Sequence, residues 1–136
     1  MIKKHTLINL VKIPKIIDNC FLLFVQNPTH VPFSIKRIFY ILNADTKLKR
    51  GFHAHKKTKQ ILFCIQGSVR IVVDNGKKRK EIILNKPDVG IFFDKMVWHE
   101  MHDFKKNTII IVLNSRVFEA KDYIRDYDRF CKLATK

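Results

Sequence analysis

Gln60-Ile61-Leu62-Phe63-Cys64-Ile65-Gln66-Gly67-Ser68-Val69-Arg70-Ile71-Val72-Val73-Asp74-Asn75-Gly76 is the stretch whose reading decides the fold. Two strand-length apolar runs, rich in β-branched and aromatic residues, are separated by Gly67-Ser68 and closed by Asp74-Asn75-Gly76, a strong turn signal. Lys80 to Leu84 follows at hairpin distance. Working outward, residues 33–41 alternate in the two-residue rhythm of a strand, and residues 89–93, 97–101 and 108–113 are further short strand candidates. Short strands at intervals of about 8–12 residues, with turn residues between them, predict an all-β sandwich or barrel. Only the tail, from about Glu119 to Leu133, has helical spacing, with Tyr123, Tyr127 and Phe130 at steps of four and three.

The length of 136 residues suits one domain spanning 1–136, and no linker, repeat or low-complexity segment interrupts it. Apolar residues make up 46% and charged residues 29%, an ordinary globular balance. No apolar run approaches the roughly 20 residues that span a bilayer. No signal-peptide core follows Met1, so a cytoplasmic protein without a membrane partner is expected. Cys20, Cys64 and Cys131 are odd in number and lack CxxC spacing, which suits free thiols in a reducing compartment.

The net charge of +15 fits either a polyanionic or phosphorylated partner or a compositional preference for lysine. The basic residues are scattered over turns rather than gathered in one stripe, so nucleic acid is not expected as a partner.

Candidate chemistry lies in Arg50-Gly51-Phe52-His53-Ala54-His55. On an extended strand, residues two apart share a face, so both imidazoles point the same way. Such a pair serves as metal ligands or as acid/base groups reaching one substrate. With Gln60 and Gly67, the pair resembles the first cupin motif, HxH-x4-E-x6-G, with Gln in place of the ligating Glu. Asp88 to Phe93 followed by His99 resembles the second motif. Loss of the carboxylate weakens the metal reading, and no metal or other cofactor is expected. His5, His30 and His102 carry no pattern and read as surface residues.

Several segments together resemble the cupin-fold nucleotide-sugar 3,4-ketoisomerases. They are Pro32 to Tyr40, Arg50 to Lys57, Gly67-Ser68-Val69, Met96 to Met101 with Asp103-Phe104, and Asp122 to Phe130. The resemblance runs from about Asp18 to Phe130. It implies a double-stranded β-helix of the jelly-roll type with a short C-terminal helix. It also implies metal-independent conversion of dTDP-4-keto-6-deoxy-D-glucose to a 3-keto sugar, on the way to 3-amino sugars of surface glycans. Homodimers with exchanged N-terminal strands belong to the same expectation.

By that resemblance His53 shuttles the carbon-bound proton and His55 binds or relays protons beside it. Arg37 becomes a clamp for diphosphate or enolate charge, and Arg50, Lys57 and His99 join the substrate-binding set. Three positions depart from the family pattern. Phe39 stands where a proton-shuttling Tyr is usual, while Tyr40 should face the other way. Asn19 and Cys20 occupy pocket positions that follow an Asp in an Asp-x-Arg-Gly-like turn. Three other readings remain: a nucleotide-sugar-binding cupin without this turnover, a metal enzyme using His53, His55 and His99, and a charge-driven nucleic-acid binder.

Overall fold

The computed structural model describes residues 7–136; His5 lies outside them. In chain order the strands are β1 (Asn9–Lys12), β2 (Lys15–Ile17), β3 (Phe21–Leu23), β4 (Arg37–Ile41), β5 (Arg50–His55) and β6 (Gln60–Gln66). They continue with β7 (Val69–Asp74), β8 (Arg79–Leu84), β9 (Val89–Phe93), β10 (Trp98–His102), β11 (Ile109–Asn114) and β12 (Tyr123–Ile124). A single helix, α1 (Tyr127–Ala134), ends the described chain. No helix among the described residues is long and apolar enough to cross a membrane.

Two five-stranded antiparallel sheets carry the fold, in the orders β1-β9-β6-β11-β4 and β12-β5-β10-β7-β8. From β4 to β11 the chain steps from one sheet to the other at every strand except the β7–β8 hairpin. That alternation is the double-stranded β-helix, as expected. The inner faces meet in a core that includes Leu62, Cys64, Ile71, Val73, Ile91, Phe93, Met101, Ile110 and Val112.

The stretch that announced the fold lies at its centre. Residues 60–64 of β6 are all buried because both faces of the strand are covered. Leu62 and Cys64 face the inter-sheet core, while Ile61 and Phe63 pack under Val11, Ile13, Val31 and Phe33. A strand buried on both faces reads as a continuous apolar run rather than an alternation. β10 behaves likewise: His99 and Met101 face inward, and Trp98 packs outward against Ile124 and Phe130. At the other extreme, edge strand β8 presents Arg79, Lys80 and Glu81 to solvent, charges that discourage edge-to-edge pairing.

Three expectations are corrected. The strand expected over 33–41 begins only at Arg37. Residues 31–33 form an irregular segment that buries Val31 and Phe33 and is held by the Asn27 side-chain amide, which donates to the Val31 and Phe33 carbonyls. The helix expected over 119–133 is split. Ala120–Asp122 is one 3-10 turn, Tyr123–Ile124 pairs with β5, and α1 starts after Asp126, whose carboxylate caps it by accepting from the Arg129 N–H. Aromatic residues at helical spacing lost here to the open edge of β5, which offers Tyr123 and Ile124 backbone partners. His102 is not a free surface residue. Its Nε2 lies 2.8 Å from Glu100 Oε1 and its ring meets Phe52 edge-on. His30 is likewise half-buried, its Nδ1 accepting from the Gln26 N–H. The short β1, β2 and β3 carry no strong sequence signal, since β2 and β3 bury almost nothing.

The ladder between β5 and β10 contains a bulge that aims the site. His99 pairs with His53 and Glu100 with Gly51, so Phe52 is the extra residue. Gly51 and Phe52 both have positive φ, 84° and 57°. A Cβ on Gly51 would lie 2.8 Å from the His99 carbonyl oxygen. Only glycine fits there without displacing β10. Gly51→Ala is therefore expected to cost about 1–3 kcal/mol of stability, checked by urea denaturation.

Candidate active site

The inner faces of β5 and β10 bring three imidazoles together. His53 lies 4.6 Å from His99 and 5.0 Å from His55 between ring centroids. His53 and His55 share a face as the sequence spacing required, and the cross-strand pairing of His53 with His99 adds the third. On the far side of β5, Tyr123 of β12 pairs directly with His55, and its ring lies 4.5 Å from His55 and 4.9 Å from His53. His53, His99 and Tyr123 line a cavity of about 320 Å³ between the sheets, with Phe39, Gln60 and Leu62 on its opposite wall. Lys49, Arg50 and Arg125 also line it, and no carboxylate does among the described residues. A larger groove of about 750 Å³ on the outside of β1 shares none of these residues.

Hydrogen bonds fix the protons on two of the imidazoles. His53 Nδ1 lies 2.9 Å from the Gly51 carbonyl oxygen. A carbonyl only accepts, so Nδ1 carries the hydrogen and Nε2 holds the free lone pair. Burial first, and then the neighbouring His55, push the His53 pKa down to about 4, against a smaller opposing pull from the Gly51 carbonyl. At neutral pH His53 is therefore an uncharged base.

His55 Nδ1 donates to Asp122 Oδ2 at 2.9 Å, leaving Nε2 buried without a partner among the described residues. Burial lowers the His55 pKa, while Asp122 opposes that shift. Asp122 is itself held by the Lys57 backbone N–H at 2.7 Å and by the Thr58 hydroxyl. Burial would raise its pKa, but these donors and His55 outweigh burial and hold it below the usual carboxylate range. Burial, then His53 and His55, keep His99 neutral; it stacks on Phe93 at 4.4 Å.

The donor set does not suit the metal that a cupin fold implies. Gln60 stands at the carboxylate position and turns its amide to Asn114 Oδ1 at 2.7 Å. Among the described residues, no three His, Cys, Asp or Glu groups converge as metal ligands.

Of the residues named from the sequence, His53, His99, Phe39 and Arg50 line the cavity, and His55 backs it. Tyr40 faces away and is 65% exposed, as strand alternation requires. Arg37 is not among the residues that line the cavity. It donates to Asn114 Oδ1 at 3.1 Å, stacks over the rings of Phe39 and Phe118, and its charge helps lower His55. Lys57 contributes its backbone N–H to Asp122 rather than its side chain to the cavity. Asn19 and Cys20 lie in the exposed β2–β3 turn, where Asp18 accepts from the Cys20 N–H, and neither lines the cavity of its own chain. Residues the sequence did not single out are Tyr123, Arg125, Asp122 and Lys49. The signal for the first three is the pairing of β12 with β5, which no spacing along the chain encodes.

The family described as "WxcM-like, C-terminal" (FdtA) matches residues 3–135. The chain belongs to this family. It is 45% identical over 123 residues to the TDP-4-oxo-6-deoxy-alpha-D-glucose-3,4-oxoisomerase of Aneurinibacillus thermoaerophilus, covering 90% of this chain and 88% of that protein. The crystal structure of a 3,4-ketoisomerase from Helicobacter canadensis superposes with a TM-score of 0.92 at 37% identity, over 97% of this chain and 100% of that one. A His-to-Asn mutant of the 3,4-ketoisomerase QdtA from Thermoanaerobacterium thermosaccharolyticum, in complex with TDP-4-keto-6-deoxyglucose, gives 0.91 at 37% identity, over 95% and 94%.

The shifted histidine sets a pH expectation. His53 is neutral above about 4 in the folded chain but only above 6.5 when unfolded. kcat/KM should therefore stay level as pH falls past 6.5 and drop only near 4. Over the same interval the unfolded chain takes up the proton first, so stability should fall as pH drops below 6.5. Parallel rate and denaturation profiles between pH 8 and 4 check both.

Proposed function

We propose that the chain is a sugar-nucleotide 3,4-ketoisomerase that converts TDP-4-keto-6-deoxyglucose to its 3-keto isomer, with residues 1–136 acting as one such domain. The observation that carries the reading is a neutral imidazole, His53, presenting an unprotonated Nε2 to a cavity whose charged lining is entirely cationic. Moving a ketone from C4 to C3 requires a base that removes the C3 proton and returns it to C4 through an enediol. His53 fills that role, and its low pKa keeps it ready to accept at neutral pH. His55, oriented by Asp122, and His99 form a polar, uncharged floor beside it.

Lys49, Arg50 and Arg125 give the diphosphate of a nucleotide sugar its counter-charge. The +15 net charge thus has a small anionic ligand to serve, and no nucleic-acid partner is needed to explain it. A nucleotide-linked substrate and three free thiols fit a cytoplasmic setting. A 3-keto product is the form an aminotransferase needs to make a 3-amino sugar for surface glycans.

The test is incubation of the purified protein with TDP-4-keto-6-deoxyglucose, followed by NMR in D2O. Appearance of the C3 ketone supports the reading; no C3 ketone and no C3 deuterium exchange would sink it. His53→Asn is expected to lower the rate by about 10²–10⁴-fold.

The β2–β3 hairpin supports a homodimer with exchanged N-terminal strands. Ile16, Ile17, Phe21 and Leu22 are each at least half exposed on it, an apolar surface that one chain leaves uncovered. Asn19 and Cys20 at its turn would then serve the partner's cavity rather than their own. Sedimentation equilibrium should give twice the 16.1 kDa chain mass, and Phe21→Asp should shift it toward the monomer.

A further inference from the structure

A 3,4-ketone shift moves two protons, and His53 accounts for one. The carbon-bound proton travels from C3 to C4, while a second must leave the C3 hydroxyl and reach O4. The group that carries it has to donate and accept at one position within the cavity. Lys49, Arg50 and Arg125 only donate while charged, and the Gln60 amide is held by Asn114. His99 is buried at the floor, stacked on Phe93. Among the described residues lining the cavity, Tyr123 carries the one hydroxyl.

Its placement is constrained from three sides. Pairing with His55 puts Tyr123 on the inner face of the sheet, its ring within 5 Å of both His55 and His53. The Arg125 guanidinium lies over that ring at 4.5 Å, and Phe118 packs against it at 5.7 Å. Its hydroxyl has no hydrogen-bond partner among the described residues, so its donor and acceptor capacity is left for what enters the cavity. Tyr127, on the outer side of the same sheet, differs on this point: it gives its hydroxyl to Asp74 at 2.6 Å.

We propose that Tyr123 is a further catalytic residue, carrying the proton between the C3 and C4 oxygens while His53 carries the one between the carbons. His53 Nε2 takes the C3 proton, leaving an enolate on O4 beside the cationic lining, and the Tyr123 hydroxyl then gives its proton to that oxygen. The phenolate then takes the proton of the C3 hydroxyl as Nε2–H returns its own to C4. Both groups end as they began, and one hydrogen has moved between carbons and one between oxygens. This assignment rests on the ketoisomerase reading.

The test is Tyr123→Phe, which keeps the ring and removes only the hydroxyl, assayed in D2O with TDP-4-keto-6-deoxyglucose. Appearance of the C3 ketone and exchange of the C3 proton are followed together by NMR. The expected result is a loss of at least about 100-fold in ketone transfer, with exchange impaired much less, so that exchange per turnover rises at least ten-fold. Rates within three-fold of wild type, or an equal loss of exchange and transfer, would overturn the proposal and leave the ketoisomerase reading standing. A wild-type protein that neither exchanges nor isomerises would instead overturn the reading itself.

Discussion

Burying imidazoles on the inside of a β-barrel constrains everything around them. A charged ring in such a place is costly, so each histidine is driven to its neutral form, and a neutral ring has one N–H that seeks an acceptor. His53 finds the Gly51 carbonyl and His55 finds Asp122. The first acceptor exists because the chain turns through positive φ at Gly51 and Phe52, and the second because the tail returns Asp122 to the end of β5. The bulge and the tail thus follow from one requirement: to keep unprotonated nitrogens in a buried site with defined tautomers.

The same requirement separates the cavity into two electrostatic zones. Its floor carries polar groups without charge, and its mouth carries Lys49, Arg50 and Arg125. The arrangement reinforces itself, because positive charge from Arg125 and Arg50 further disfavours protonation of His53. A ligand with a diphosphate at one end and a neutral ketosugar at the other matches that division. On the proposed reading, charge at the mouth holds the substrate while the floor stays free for proton transfer.

Legibility in the sequence followed the range of the physics involved. The apolar runs of β6 and β7 and the turn at Asp74-Asn75-Gly76 are local signals, and they translated directly into the barrel. The shared face of His53 and His55 was legible for the same reason, since alternation is a property of one strand. Arg37, by contrast, lies on its strand as expected yet does not line the cavity, and its guanidinium is engaged by Asn114, a partner distant in sequence. Asp122, Tyr123 and Arg125 were misread as part of a helix. Their spacing is compatible with either state, and the decision was made by an unpaired β5 edge that no local pattern reveals.

The tail's return also explains why the chain invests so many buried polar contacts outside the cavity. β12 is only two residues long, too short to hold its place by ladder bonds alone. It is held instead from both ends. Upstream, Asp122 is gripped by His55, Lys57 and Thr58. Downstream, Tyr127 donates to Asp74, Phe130 is buried against Trp98, and Trp98 Nε1 donates to Glu100, which Arg79 and His102 also hold. Each of the downstream groups belongs to α1 or to the outer face of the second sheet, and none lines the cavity. Their common effect is to fix the two residues between them, so that Tyr123 is held against His53 and His55 by a frame on the opposite side of the sheet. A side chain that must give and take protons at a set position gains from such a frame, since misplacement of about 1 Å costs such a step heavily.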